Sequence, residues 1–178
     1  MNVWQSLTEI PGNEASVVTI GNFDGMHNGH KKVIATCVER AHKLGVDAVA
    51  ITFDPHPIQV HKPEVGLQLI SPLRDRLDAM EAAGLDATLV AHYDKSVYSL
   101  EPDEFVDEFL VERCGAREVV VGEDFRFGRG NVGTIDTLRA LGRRYGFDVL
   151  TVTDIEAPEG RRWSSSWVRE LLAAGDVS

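Results

Sequence analysis

His27 and His30 stand three positions apart in the run Gly21-Asn22-Phe23-Asp24-Gly25-Met26-His27-Asn28-Gly29-His30. Before this run, Ser16-Val17-Val18-Thr19-Ile20 reads as a buried strand, and after it Lys31–Val38 has the apolar spacing of a helix. A strand, a turn punctuated by Gly21, Gly25 and Gly29, and then a helix form a layout for handling phosphate. Glycines let backbone approach an anion, and a helix N-terminus offers free N–H groups at the positive end of its dipole. Two imidazoles add side-chain donors at the same place. The spacing is neither that of a Walker loop nor a GxGxxG dinucleotide fingerprint. Two other readings stay open. The histidines would serve a metal if His56 or His61 joined them, or they are two unrelated surface residues.

Three further stretches carry chemistry. Arg161-Arg162-Trp163-Ser164-Ser165-Ser166-Trp167-Val168-Arg169 places hydroxyls at the start of a helix, with arginines on either side. Taken alone it is an N-cap followed by a solvated arginine; beside the first turn it is a second anion site. Val120-Val121-Gly122-Glu123-Asp124-Phe125-Arg126-Phe127-Gly128 sets a carboxylate and two aromatics directly after a strand, where they can line a pocket for a flat ligand. Asp124 also reads as a turn residue, and Phe125 and Phe127 as core. Phe53-Asp54-Pro55-His56-Pro57 is a stiff loop that presents an aromatic face.

The elements that position these residues alternate. Strands are expected at 17–20, 48–52, 87–91, 118–121 and 148–153, and helices at 29–44, 71–83, 102–114, 135–145 and 166–173. Long loops are expected at 53–65 and 122–133. This order predicts an α/β fold with a mostly parallel sheet of about five strands and helices on both faces. Ligands of such sheets bind at the carboxyl ends of the strands, near the switch in strand order. All four stretches follow strands and so converge on one rim.

Composition narrows the class. The chain has 178 residues, 43% hydrophobic and 26% charged, which suits one domain with a full core. A formal net charge of −10 disfavours nucleic acid as a partner, so phosphates must be held by a local pocket. No run approaches the ~18 apolar residues of a membrane span, and no basic-then-apolar leader opens the chain. Cys37 and Cys114 both fall in helical patterns and read as buried free thiols rather than a disulfide. A reducing cytoplasm is the expected compartment.

Together the four stretches resemble the adenylyltransferase module of bacterial bifunctional riboflavin kinase/FAD synthetases, within the nucleotidylyltransferase superfamily. Gly21–His30 matches that family's GxFDGxHxGH, and Phe53–Pro57 its FDPHP loop. Gly122–Gly128 is similar to its G-x-(D/N)-F-x-F-G segment. Ser164–Arg169 is similar to S-S-T-x-(I/V)-R, with Ser166 in place of threonine. The likeness runs over essentially the whole chain. Relatives usually continue into a riboflavin kinase barrel after a segment like Leu172–Val177, so the expectation is a single adenylyltransferase domain over 1–178. Where relatives can carry an aromatic beyond the FDPHP loop, this chain has His61.

The resemblance implies a Rossmann-like fold, ATP and FMN as substrates, FAD and pyrophosphate as products, and Mg²⁺ held mainly by ATP phosphates, without dedicated protein ligands. It also implies roles. His27 and His30 would contact the ATP phosphates, with Gly21, Asn22, Phe23, Asp24 and Gly29 around the nucleotide. Arg162, Ser164, Ser165, Ser166 and Arg169 would hold the phosphates that leave. Asp124 would stand between the substrates, with His27, His30, Arg162 and Ser165 completing the catalytic set. Phe53, Pro55, His56, His61, Phe105, Phe125 and Phe127 would face FMN. A sister enzyme acting on another phosphorylated substrate, or a non-catalytic nucleotide- or flavin-binding module, are the competing functions.

Overall fold

A computed structural model describes residues 1–12, 14–153, 155 and 160–176. In chain order the strands are β1 (Asn2–Trp4), β2 (Ser16–Ile20), β3 (Asp47–Asp54), β4 (Ala87–His92), β5 (Ala116–Gly122) and β6 (Asp148–Val152). The helices are α1 (Asn28–Leu44), α2 (Pro57–His61), α3 (Leu73–Ala82), α4 (Lys95–Tyr98), α5 (Pro102–Phe105), α6 (Ile135–Tyr145) and α7 (Ser165–Ala174). From α5 the chain continues in π winding over Val106–Arg113.

The strands form one parallel sheet of six, in the order β1-β4-β3-β2-β5-β6. Five were expected; the extra one is β1, three residues at the edge whose burial shows no alternation. It forms because its backbone has a partner, Asn2 to Trp4 running alongside Ala87 to Leu89. So short a segment carries no periodicity to read.

The chain opens with β1 at one edge, starts again at the centre with β2, builds outward through β3 to β4, which lies against β1, and then returns across β2 to add β5 and β6 on the other side. The reversal therefore falls between β2 and β5, which run in register from Val17↔Glu118 to Thr19↔Val120. Their carboxyl ends open the crevice in which sheets of this kind bind ligands.

Alternate residues of each strand feed two cores. Val18, Ile20, Val49, Ile51 and Leu89 pack beneath Phe105, Phe109, Leu110 and Leu138. Val17, Ala48, Ala50 and Val120 pack beneath Ile34, Cys37, Ala41 and Met80 of α1 and α3. Both faces of the sheet are thus covered, as the sequence pattern predicts. Cys37 and Cys114 are free, and burial pushes both thiols up to about 12. Among the described residues, no helix is long and apolar enough to cross a membrane.

Several expected elements differ in detail, among them the helix expected at 71–83, which runs Leu73–Ala82 with Pro72 at its N-cap. The strand expected to stop at Thr52 continues through Phe53 to Asp54, and part of the 53–65 loop is the helix α2. That helix starts because the His56 ring accepts from the Ile58 N–H, while the Gln59 side chain accepts from the His56 N–H. The helix expected at 102–114 winds as a π-helix in its second half, with the Cys114 N–H reaching back to the Phe109 carbonyl at 3.1 Å. The wider turn puts Phe105, Val106, Phe109, Leu110 and Cys114 together in one core. The 122–133 loop is pinned at its base by a Phe127–Gly133 bridge and carries a 3₁₀ turn at Arg129–Asn131.

Candidate active site

The turn between β2 and α1 is strained and held from below. Phe23 and Met26 both take left-handed backbone, φ 51° and 41°, which bulky side chains rarely adopt. Gly25 has φ 78°, and a Cβ there would lie 2.8 Å from the Ile70 side chain. The strain persists because buried groups fix the turn. The Asn22 carbonyl accepts from Arg76 Nη1 at 2.8 Å and from Thr52 Oγ1 at 3.2 Å.

The Asp24 carboxylate, which has no exposed surface, accepts from the Ile70 N–H at 3.0 Å, the Ser71 N–H at 3.0 Å and the Arg169 guanidinium. Asp24 is therefore turned away from the rim and toward the segment at 68–71, where Arg169 also reaches the Gln68 carbonyl at 2.9 Å. Arg169 is not the solvated arginine of the simpler reading.

His27 and His30 meet at the N-terminus of α1. Their rings stack with centroids 3.7 Å apart, and the Phe23 ring meets His30 edge-on at 5.4 Å. His27 caps the helix: its Nδ1 accepts from the His30 N–H at 3.4 Å. That places the proton of the neutral ring on Nε2, leaving a donor for a ligand. Gly29 makes room for the His27 ring, which a Cβ would meet at 3.1 Å.

Burial first, then the nearby Arg162, lowers His27 to about 4. Burial first, then His27 itself, lowers His30 to about 3. Both rings are thus neutral near pH 7 and present N–H donors rather than full charges. Among the described residues, no group of three or more His, Cys, Asp and Glu is arranged to hold a metal.

Facing them, Arg162 Nη2 contacts Asp124 Oδ2 at 2.6 Å, a pair joining the loop after β5 to the segment before α7. The serines divide their work. Ser164 caps α7 by accepting from the Trp167 N–H at 3.2 Å. Ser165 Oγ donates to the Asp24 carbonyl at 3.0 Å. Ser166 is exposed in the first turn.

With the geometry in place, comparison with known proteins identifies the family. Residues 9–167 match the family described as FAD synthetase. The chain belongs to the FAD synthetase family.

A bifunctional riboflavin kinase/FMN adenylyltransferase of Pseudomonas fluorescens is 38% identical over 166 residues, 93% of this chain and 53% of that protein. A Geobacillus thermodenitrificans (strain NG80-2) protein that provisionally carries the same name is 40% identical over 172 residues, 97% of this chain and 88% of its own length. The chain thus spans about half of the Pseudomonas relative. A Streptococcus pneumoniae structure titled as a macrolide-efflux protein superposes with a TM-score of 0.84 at 24% identity, over 99% of this chain and 58% of that one. That likeness concerns the fold.

In this member of the family the aromatic residues separate into rim and core. Phe53 is half-buried and meets Tyr93 edge-on at 5.5 Å. His61 is exposed and bonds Tyr93 Oη through Nε2 at 2.9 Å, with the Tyr98 ring 5.0 Å away. Pro55 and Phe125 are half-buried. Phe125 stacks on Phe127 at 5.5 Å, but Phe127 and Phe105 are only 5% and 4% exposed and belong to the core beneath. His56, buried and busy capping α2, is lowered chiefly by burial.

Three residues absent from the sequence reading now belong to the site's frame. Tyr93 and Tyr98 complete the aromatic cluster beside Phe53. Arg76 lies under the turn between β2 and α1 with no exposed surface. One signal for it was present: Arg76 falls on the stripe of α3 that carries Leu73, Leu77 and Met80, where a charged residue needs a reason.

Proposed function

We propose that this chain transfers the adenylyl group of ATP to the phosphate of FMN, giving FAD and pyrophosphate. The observation that carries this reading is the stacked His27–His30 pair at the N-terminus of α1, on the switch point between β2 and β5, opposite the Arg162–Asp124 pair. The names of the relatives support FMN as the acceptor.

In this reading an oxygen of the FMN phosphate attacks the α-phosphorus of ATP. The bond from that phosphorus to the α,β-bridging oxygen breaks, and pyrophosphate leaves with the electron pair. The nucleophile is already an anion near neutral pH, so no general base is needed. Accordingly the site holds imidazoles, hydroxyls and arginines. Catalysis rests on alignment and on donors aimed at charge as it develops.

His30 is closest to the α-phosphate and bridging oxygen, and His27 donates from Nε2. Arg162 and Ser166 hold the departing phosphates. Backbone groups of Gly21–Phe23 read adenosine. Phe53, His61 and Phe125 face the flavin. Asp24, Ser164, Ser165 and Arg169 take part through the turn and helix they lock in place.

Mg²⁺ prefers oxygen donors and keeps waters and phosphate oxygens. On the side of the Arg162 pair the described residues offer it the Asp124 carboxylate and the exposed Ser166 hydroxyl. That set fits an ion carried on the ATP phosphates with Asp124 as its protein contact. When bound it would neutralise phosphate charge. We place the chain in the cytoplasm, in keeping with two unpaired buried thiols.

Incubation with ATP, Mg²⁺ and FMN, followed by chromatography, tests the reading: FAD and pyrophosphate should appear in equal amounts. Riboflavin lacks the phosphate nucleophile, so this site should give no product from it. Turnover with pantetheine phosphate but not FMN would establish the sister activity, and binding without pyrophosphate release a non-catalytic module.

A further inference from the structure

Arg76 makes a hydrogen bond on one edge of its guanidinium and none on the other. Nη1 donates to the Asn22 carbonyl at 2.8 Å, at the root of the strained turn. The opposite edge, Nε and Nη2, is buried and has no hydrogen-bond acceptor among the described residues. That edge is the fork that grips a carboxylate with two parallel bonds. A carboxylate stands just out of reach: Asp54 Oδ1 lies 3.7 Å from Nη2. This is too long for a hydrogen bond, yet a shift of about 1 Å would bring it to charge-assisted range. Asp54 ends β3 and leads into the Pro55–Pro57 segment, and its side chain is 45% exposed, so it has room to move.

A buried guanidinium edge without a hydrogen-bond acceptor is costly; the Asp24 and Asp54 carboxylates nearby offset part of that cost, and a direct bond from Asp54 recovers more of it. A ligand that draws the Asp54 loop inward is therefore favoured by closure onto Arg76. Because the other edge of the same planar group holds Asn22, closure on the flavin side also bears on the ATP side.

We propose that Arg76 is a positioning residue that couples the ATP turn to the flavin loop, its contact with Asp54 closing when both substrates are bound. The proposal rests on the adenylyl-transfer reading for which substrate each loop meets. Arg76 touches neither substrate.

The test is equilibrium binding, which needs no turnover. FMN affinity is measured by flavin fluorescence with and without a non-hydrolysable ATP analogue, in wild type, Asp54→Ala, Asp54→Asn, Arg76→Met and Arg76→Lys. In wild type each ligand should tighten the other by the same factor, roughly fivefold or more. Asp54→Ala, a change at a half-exposed rim position, should abolish that factor while leaving binding of each ligand alone within about twofold. Asp54→Asn and Arg76→Lys, which keep an acceptor or a charge, should retain part of it. Arg76→Met combined with Asp54→Ala should do no more than either alone. In FAD formation Asp54→Ala should lower kcat more than it raises either KM. The proposal is overturned if wild type shows no mutual tightening, or if Asp54→Ala keeps it; the second result decides even if Arg76→Met does not fold. Failure of wild type to make FAD would instead refute the adenylyl-transfer reading.

Discussion

Asp24 and Arg169, 145 positions apart, form an ion pair directly beneath the turn between β2 and α1. The pair ties the strained Asn22–Met26 segment to α7 and, through Ile70 and Ser71, to the chain leading into α3. The Asp24 side chain is buried, and that of Arg169 is 23% exposed. Removing Arg169 takes a cation from a buried carboxylate and leaves it the Ile70 and Ser71 donors. Arg169→Ala should therefore destabilise the protein by about 3 kcal/mol, measured as a lower denaturation midpoint at unchanged m-value. An effect on ATP binding with unchanged stability would return Arg169 to the rim.

The histidine pair makes a kinetic prediction. If the His30 N–H meets charge that develops only as the α-phosphorus is attacked, the transition state loses more than the ground state. His30→Ala should lower kcat by roughly 10²–10³, the scale of one lost oxyanion-type donor. Binding of a non-hydrolysable ATP analogue should change far less. Normal turnover in the variant would remove His30 from the chemistry.

In the proposed reaction Arg162 meets the leaving group. Its guanidinium is held by Asp124 at 2.6 Å, a contact exposed enough to open toward a phosphate. Arg162→Ala should raise the KM for ATP and weaken pyrophosphate in the reverse reaction, with FMN binding nearly unchanged. A loss confined to FMN would move Arg162 to the other substrate.

The histidines also set a pH dependence of stability. Both folded values, about 4 and about 3, lie below the ordinary 6.5. Below pH 6.5 the unfolded chain binds protons that the folded chain refuses, so stability rises with pH across this window. The contribution is complete above about 6.5 and is lost as pH falls toward the folded values. Melting temperature should fall from pH 7 to pH 4, and less steeply in His30→Gln than in wild type. Equal slopes would show that the His30 ring is not the group resisting protonation.

Much of this protein was legible without coordinates, for local reasons. Gly25 has a left-handed φ within its own turn, and Gly29, His27, His30 and Ser164 meet neighbours within three residues, so spacing alone reveals a turn and two helix starts. The alternation of strand and helix patterns likewise dictated a parallel α/β sheet. What escaped depends on contacts between distant segments. β1 exists because β4 offers it an edge. Asp24 reads as a ligand contact in the motif, yet its carboxylate faces Ile70, Ser71 and Arg169. Phe105 and Phe127 read as flavin contacts but sit in the core. Arg76 reads as an ordinary helix residue until the fold buries it between Asn22 and Asp54. Residue types and local spacing determined which chemistry this chain can carry. Only packing decided which charges face the substrates and which lie beneath them, because desolvation and pairing depend on what surrounds a side chain in three dimensions.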